Sequence, residues 1–202
     1  MHKRFIIGVA LVTTLLGAGC SAPAKVVTPT PAITAPDTTA LVADTAGGLL
    51  DAHVFKHPKY GYTIQYPANW GLAQLSDSPT AVVFKNHSPD VITKLKKDFS
   101  ANLIIQKDGG PDGSLDLFVA RLKKEIGGFA NSKISNERTV KLGDGDAHYL
   151  TVIARQEGFD LTEIYVAVKK GSDKYLLSAT APTEFWSKYS AAFDAALVTF
   201  KP

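Results

Sequence analysis

The stretch YGYTIQYPANWG, residues 60–71, is the part of the sequence that says most about the fold. Its alternating large side chains are typical of the inward face of a β-strand: Tyr62, Ile64 and Tyr66. Pro67 lacks an N–H group and pushes the residue before it into extended geometry, so we expect the strand to end there. Trp70 follows soon afterwards. Because large aromatic rings are mostly buried, we expect this ring to fold back over the hairpin and cover the core.

The sequence around this stretch predicts a run of β-strands in one domain, residues 51–202, which is long enough for a single core. Residues 53–57 and 62–66 lie on either side of the turn PKYG and predict an N-terminal hairpin. Further strands are predicted at 80–86, 101–107, 133–142, 146–156, 161–170 and 174–181. The last four are joined by short turns, which make consecutive strands antiparallel neighbours.

Amphipathic patterns predict three helices: residues 88–100, 114–128 and 183–200. The first would begin with Ser88 as its N-cap and Pro89 in its first position. Its basic side chains would form a solvated face: Lys94, Lys96 and Lys97. The second helix would have Ser114 as its N-cap and end at Gly127. A run of strands with helices packed on its faces predicts an α+β sandwich.

Two parts of the domain resemble the PsbP-like family. The entry hairpin matches it through Gly61-Tyr62 and Tyr66-Pro67-Ala68-Asn69-Trp70, and the chain ending matches through YLLSATAPTEFWSKYSAAFDAALVTF. The segment SLDLFVARLKKEI also fits, so the resemblance covers about residues 53–200. It implies an α/β/α sandwich around a mostly antiparallel sheet. The best-known members of this family are extrinsic subunits of the oxygen-evolving complex, and many bacterial relatives are lipoproteins with no assigned reaction.

Residues 1–19 have the layout of a secretory signal peptide. Their apolar run is shorter than the roughly 20 residues that a spanning helix needs. Cys20 is the only cysteine, so no internal disulfide can form. Leu16-Gly17-Ala18-Gly19-Cys20 resembles the lipobox of bacterial lipoproteins, in which the cysteine thiol receives a diacylglycerol and the signal is cut just before it. Gly17 stands where that family prefers Leu, and the alternative is an ordinary secretory signal with an incidental cysteine.

Residues 20–50 are rich in Ala, Thr and Pro and predict a flexible tether, because they contain too little apolar surface to repay the entropy of ordering. A flexible tether of this length would hold the domain about 30 Å from a membrane. The formal net charge of +3 includes Lys3 and Arg4, so removal of the signal peptide leaves +1. A protein with so small a positive bias is not expected to bind nucleic acid.

No catalytic or metal-binding spacing stands out in the sequence. The aspartates of the loops 107–113 and 143–148 are accompanied by glycines, which is first of all turn chemistry. Neither loop has the oxygen spacing or the closing Glu of an EF-hand. The remaining candidates for metal ligands are Asp112, Asp144 and His148. Binding of Ca²⁺ or Mn²⁺ is implied only by the photosynthetic members of the PsbP-like family, and we expect no cofactor.

These observations favour a non-catalytic binding or assembly module, held by a lipid on Cys20 at the cell membrane or outer membrane and facing the periplasm or the exterior. Its expected partner is a membrane-associated protein, met at a raised effective concentration. One alternative is a metal-dependent or enzymatic envelope factor whose site is built from loops: His57, Asp112, Asp144 and His148. Another alternative is a sugar-binding module with an exposed aromatic platform: Tyr60, Tyr62, Tyr66 and Trp70.

Overall fold

A computed structural model describes residues 48–74, 80–111 and 113–202. The predicted signal peptide, the lipidation site Cys20, nearly all of the tether and the candidate metal ligand Asp112 therefore lie outside the described residues. Within those three ranges, no helix has the length and apolar character that crossing a membrane requires.

The described chain contains eleven strands and two α-helices, the second preceded by a short 3-10 turn over Thr183–Phe185. In chain order they are β1 (Leu50–Lys56), β2 (Thr63–Pro67), β3 (Trp70–Gln74), β4 (Ala81–Asn86), β5 (Asp90–Ile92), β6 (Lys97–Phe99), β7 (Asn102–Asp108), α1 (Leu115–Ile126), β8 (Ala130–Leu142), β9 (Gly145–Gln156), β10 (Phe159–Lys170), β11 (Asp173–Pro182) and α2 (Trp186–Val198).

Seven of these strands form one sheet in the order β3-β4-β7-β11-β10-β9-β8, and every neighbouring pair in it is antiparallel. β1 and β2 pair as a separate hairpin, and β5 and β6 form a second one. The α+β class, the N-terminal hairpin and the antiparallel run of the last four strands are confirmed. The ends of the strands at which β3, β7 and β10 begin are called the Trp70 end of the sheet.

The two helices cover opposite faces of the sheet, as the predicted α/β/α sandwich requires. Along β10, Ile164, Val166 and Val168 join the main hydrophobic cluster, which also contains the buried side of α2. Because successive strand residues point to opposite faces, Leu161 and Tyr165 lie on the other face. There α1 packs on β9 and β10 with four buried side chains: Phe118, Val119, Leu122 and Ile126. Ser114 accepts a hydrogen bond from Leu117 N at 3.2 Å, which confirms it as the N-cap of α1.

The predicted helix over residues 88–100 is wrong, because this segment forms the β5–β6 hairpin. The carbonyl of Ile92 accepts hydrogen bonds from Leu95 N at 3.1 Å and Lys96 N at 2.8 Å, and Lys96 takes a left-handed φ of 53°. A run of β-branched residues, Val91-Ile92-Thr93, weakens the helix locally. Contacts at each end of the segment then decide the outcome: Lys188 binds Asp90, and Phe99 packs on Phe159.

Two smaller features also differ from the prediction. The strand β3 was not predicted, because WGLAQ is short and lacks an alternating pattern, yet all five residues pair with β4. The last helix was expected over residues 183–200, whereas the α-helix begins at Trp186 after the 3-10 turn and ends at Val198.

Candidate functional site

Trp70 is a core residue, as its position after the hairpin predicted. Its side chain is 9% exposed and meets Phe193 edge-on at 5.6 Å and Tyr189 at 6.0 Å between ring centroids. Tyr62 is fully buried, and Tyr66 stacks on Phe84 at 4.6 Å. The proposed exposed aromatic platform for sugars is therefore wrong, because its rings pack into the protein.

The chain reverses direction over Tyr66–Trp70, and this reversal lets the Trp70 ring reach the core. Pro67 is the last residue of β2 and lies opposite Leu50, and the N–H of Ala68 donates to the carbonyl of Leu49 at 2.9 Å. Asn69 then adopts a left-handed φ of 64°, a conformation that asparagine tolerates better than most residues. The chain consequently turns back into β3 with Trp70 beneath α2.

An open cleft of about 330 Å³ lies beside this reversal, at the Trp70 end of the sheet. The reversal forms one wall, and the end of β4 and the first turns of α2 form the others. The lining residues that matter for its chemistry are Leu49, Asn69, Trp70, Ser88, Lys188 and Tyr189. The volume is at the lower limit for small-molecule sites, and the cleft is open, so it suits a protruding side chain or loop of another molecule.

Polar side chains beneath the cleft form one connected hydrogen-bond network. Asn86 Nδ2 donates to Tyr189 Oη and to the Ser88 carbonyl, each at 2.6 Å. Tyr189 Oη in turn donates to Asp90 Oδ2, and Lys188 Nζ donates to Asp90 Oδ1 at 2.6 Å. Each member is held by another, and three members of the network, Asn86, Lys188 and Tyr189, also line the cleft.

The electrostatics of this network favour recognition over proton transfer. Burial, followed by the hydrogen bond to Asp90, raises the pKa of Tyr189. The hydrogen bonds of Lys188 to Asp90 and then to Tyr189 raise the pKa of its amine. Both groups therefore keep their protons at neutral pH, whereas a general base must be deprotonated at the working pH so that it can accept one. The Lys188 side chain is 54% exposed and presents a positive charge at the cleft.

Three of the candidates for a loop-built site are each held by partners outside the proposed set. Asp144, in the turn between β8 and β9, pairs with Lys170 at 3.1 Å, and this hydrogen bond lowers the pKa of its carboxyl. His148, on β9, lies 2.7 Å from Glu137 through Nε2. His57 is buried in the β1–β2 turn, where Nδ1 accepts hydrogen bonds from the N–H groups of residues 59 and 60. Within the three described ranges, no group of three or more His, Cys, Asp or Glu side chains is placed to hold a metal ion.

Two buried acids were missed by the sequence analysis. Glu163, on β10, is 1% exposed and accepts hydrogen bonds from Gln156 Nε2 at 2.6 Å and Thr180 Oγ1 at 3.1 Å. Burial raises the pKa of Glu163 to about 7. Its signal in the sequence is an acidic residue directly before the apolar run Ile164–Val168 of β10.

The second missed acid is Asp108, at the end of β7. Its buried carboxylate pairs with Arg121 of α1 at 2.9 Å and with Lys174 of β11 at 3.4 Å. The three residues are far apart in sequence, so no local pattern shows the pairing. This ion-pair cluster ties the middle of α1 to the sheet.

Known structures share this fold at low sequence identity. Cyanobacterial PsbP (CyanoP) from Synechocystis has a TM-score of 0.54 and 12% identity over 76% of this chain and 92% of its own. LpqN of Mycobacterium tuberculosis, which is involved in cell envelope biogenesis, has a TM-score of 0.53 and 16% identity over 83% and 100%. A protein of unknown function from Pseudomonas aeruginosa has a TM-score of 0.53 and 17% identity over 77% and 98%. No protein-family model matches the sequence, and a comparison with curated proteins gives no match. The chain therefore has a PsbP-like fold.

Proposed function

We propose that this protein is an envelope lipoprotein whose PsbP-like domain docks to a membrane-associated protein and performs no reaction of its own. The lipid on Cys20 anchors the chain, residues 20–50 serve as the tether, and the cleft at the Trp70 end of the sheet receives the partner. The fold is consistent with this role, because LpqN, a protein involved in cell envelope biogenesis, shares it.

The observation that carries the proposal is the satisfied network beneath an open cleft. Asn86 donates to Tyr189 and Tyr189 donates to Asp90, so polar side chains at the cleft are already held by hydrogen bonds before any partner arrives. Pre-ordered groups lose little entropy on association, which favours specific docking even through a small contact. Leu49, 39% exposed, adds apolar surface at the same rim.

Anchoring strengthens such docking by confining both partners to one surface. A flexible tether of about 30 residues samples distances of about 30 Å from its lipid, so the domain stays in the layer in which membrane-associated partners lie. Even a weak cleft contact is then favoured over the same contact in free solution.

Site-specific photo-crosslinking in the native host tests the docking. A photoreactive residue at Ser88, which is exposed and lines the cleft, is compared with one at Ser172, which is equally exposed between β10 and β11 at the opposite end of the sheet. We expect one reproducible membrane-associated adduct from position 88 and none from position 172. The substitution Lys188→Glu, which reverses a charge at the cleft, should reduce that adduct.

The same host separates docking from a loop-built catalytic site. Alanine replacements at His57, Asp112, Asp144 and His148 should leave both the adduct and the cellular phenotype intact, provided that the domain remains folded by circular dichroism. Loss of the phenotype in one of these variants, together with no adduct from position 88, would show that the loop-built site is the functional one.

A further inference from the structure

The β5–β6 hairpin carries a concentrated positive charge on an exposed turn. The hairpin has three exposed lysines but only one exposed acid, Asp98. The lysines are Lys94, Lys96 and Lys97. The other acid, Asp90, is bound by Lys188 and Tyr189. Lys94 and Lys96 lie in the turn, and Lys97 begins β6 opposite Ile92, so all three are at the tip of the hairpin. The amine of Lys97 also lies 5.9 Å from the centre of the Phe159 ring.

Exposed apolar surface accompanies the charge. Val91 is 57% exposed although it lies in a strand, opposite Asp98. Leu95, in the turn itself, is only half-buried between Lys94 and Lys96. Lysine stems combined with small apolar side chains are typical of surfaces that lie at a membrane interface, where the amines meet headgroups and the apolar atoms approach the acyl boundary.

The β5–β6 hairpin is attached to the domain at the Trp70 end of the sheet, where the predicted tether also joins it. Its first strand begins at Asp90, which is bound to α2 beside the cleft, and the chain after its second strand returns to β4 through the hydrogen bond from Asn86 N to Ala101 O at 3.0 Å. The chain from the N-terminus enters the described domain at Gly48, which lines the same cleft. A lipid anchor on the preceding chain would therefore leave this end of the sheet free to reach the membrane.

We propose that the β5–β6 hairpin binds the anionic headgroups of the membrane in which the chain is anchored. This inference depends on the lipid anchoring of the proposed function and adds an orientation to it. Lysines near an anionic surface contribute about 1 kcal/mol each and Asp98 offsets one of them, so the hairpin shifts the docking equilibrium by about thirtyfold. The attraction decays within a Debye length of about 8 Å at physiological salt, so the hairpin must reach the surface itself.

Docking of the hairpin would also set how the cleft is presented. Asp90 belongs both to β5 and to the network beneath the cleft. With the hairpin on the headgroups, the cleft opens close to the bilayer, where it can receive only partners that protrude little from the membrane.

Hydrogen exchange of the full lipidated chain on vesicles tests this inference. The chain is reconstituted in phosphatidylcholine vesicles with and without phosphatidylglycerol, and exchange is followed by mass spectrometry. We expect residues 90–99 to exchange more slowly only on the anionic vesicles, with the protection lost at high salt. Core residues of β10 provide the internal check that the fold is unchanged.

Two matched variants assign the effect. The triple substitution Lys94→Gln, Lys96→Gln and Lys97→Gln should abolish the protection of the hairpin. The control triple is Lys56→Gln, Lys59→Gln and Lys201→Gln, which removes the same charge from exposed positions at the opposite end of the fold and should retain it. Inorganic phosphate added to neutral vesicles should give no protection, because a soluble anion is not the proposed ligand.

The results distinguish this inference from the proposed function. Membrane attachment of the same chain is followed by flotation of the vesicles. If the chain floats with both kinds of vesicle but residues 90–99 exchange equally fast on them, the hairpin inference is overturned and the anchoring stands. Protection that survives the hairpin substitutions, or that phosphate alone produces, would also overturn it. A chain that floats with neither kind of vesicle would overturn the anchoring, and the orientation with it.

Discussion

Replacement of Trp70 by alanine tests whether the segment Tyr66–Trp70 is a structural element of the core. The ring is 9% exposed and contacts Phe193 and Tyr189 of α2, so its removal leaves a cavity between the sheet and this helix. Truncation of a buried tryptophan typically costs about 3–5 kcal/mol. The two edge-on aromatic contacts contribute at about 0.5–1.5 kcal/mol each, so we expect a loss of about 4 kcal/mol in the free energy of unfolding.

Chemical denaturation followed by circular dichroism measures this loss. Trp186 supplies the matched control, because it is the only other tryptophan and packs on the same Phe193 at 5.7 Å while remaining partly exposed. Trp186→Ala should cost clearly less than Trp70→Ala. If Trp70→Ala lowers the free energy of unfolding by less than about 1 kcal/mol, the core role argued from its burial is refuted.

Three further predictions follow from single residues. The pKa of Glu163 is raised in the folded state to about 7 from a usual 4.5, so the folded state binds this proton more tightly than the unfolded state. The free energy of unfolding should therefore fall by about 3 kcal/mol as the pH rises from 4.5 to 7. In unfolding measured as a function of pH, Glu163→Gln should remove this dependence. Asp108→Asn breaks a buried ion-pair cluster and should cost about 3 kcal/mol in denaturation, whereas Asp160→Asn, at an exposed pair 3.9 Å from Arg155, should cost under about 1 kcal/mol. Mass spectrometry of the mature N-terminus should find a diacylglycerol on Cys20; an unmodified thiol, or cleavage elsewhere, contradicts the lipobox assignment.

The hairpin and the cleft connect the two proposals through one residue. Asp90 is held by Tyr189 and Lys188 and begins the strand that leads to the lysine turn. Asp90→Asn would weaken both the floor of the cleft and the attachment of the hairpin. It would therefore not separate the two roles, and neither would Lys188→Glu, because Lys188 binds the same carboxylate. The hairpin lysines Lys94, Lys96 and Lys97 are not part of this network and report on the hairpin alone.

The sequence alone determined the features that depend on local chemistry. Alternation along residues 60–66 and the missing N–H of Pro67 predicted the hairpin and its end, and the structure has β2 over Thr63–Pro67. Ser114 predicted the start of α1 through its side-chain oxygen. Short turns between the last strands predicted their antiparallel pairing. Each of these signals acts within a few residues of where it appears, so it can be found without knowledge of the rest of the chain.

The tertiary structure alone decided the segment 88–100 and the candidate site. The apolar spacing of Val91, Ile92, Leu95 and Phe99 fits a helix, although the β-branched residues weaken it. The contacts of Asp90 with α2 and of Phe99 with Phe159 select the hairpin. The cleft is likewise lined by residues from four separate segments of the chain, within 48–49, 67–70, 86–88 and 188–192. These contacts stabilise the chain only after distant segments have come together. Hydrogen bonding and burial depend on which residues are neighbours in space, whereas the sequence shows only which residues are neighbours along the chain.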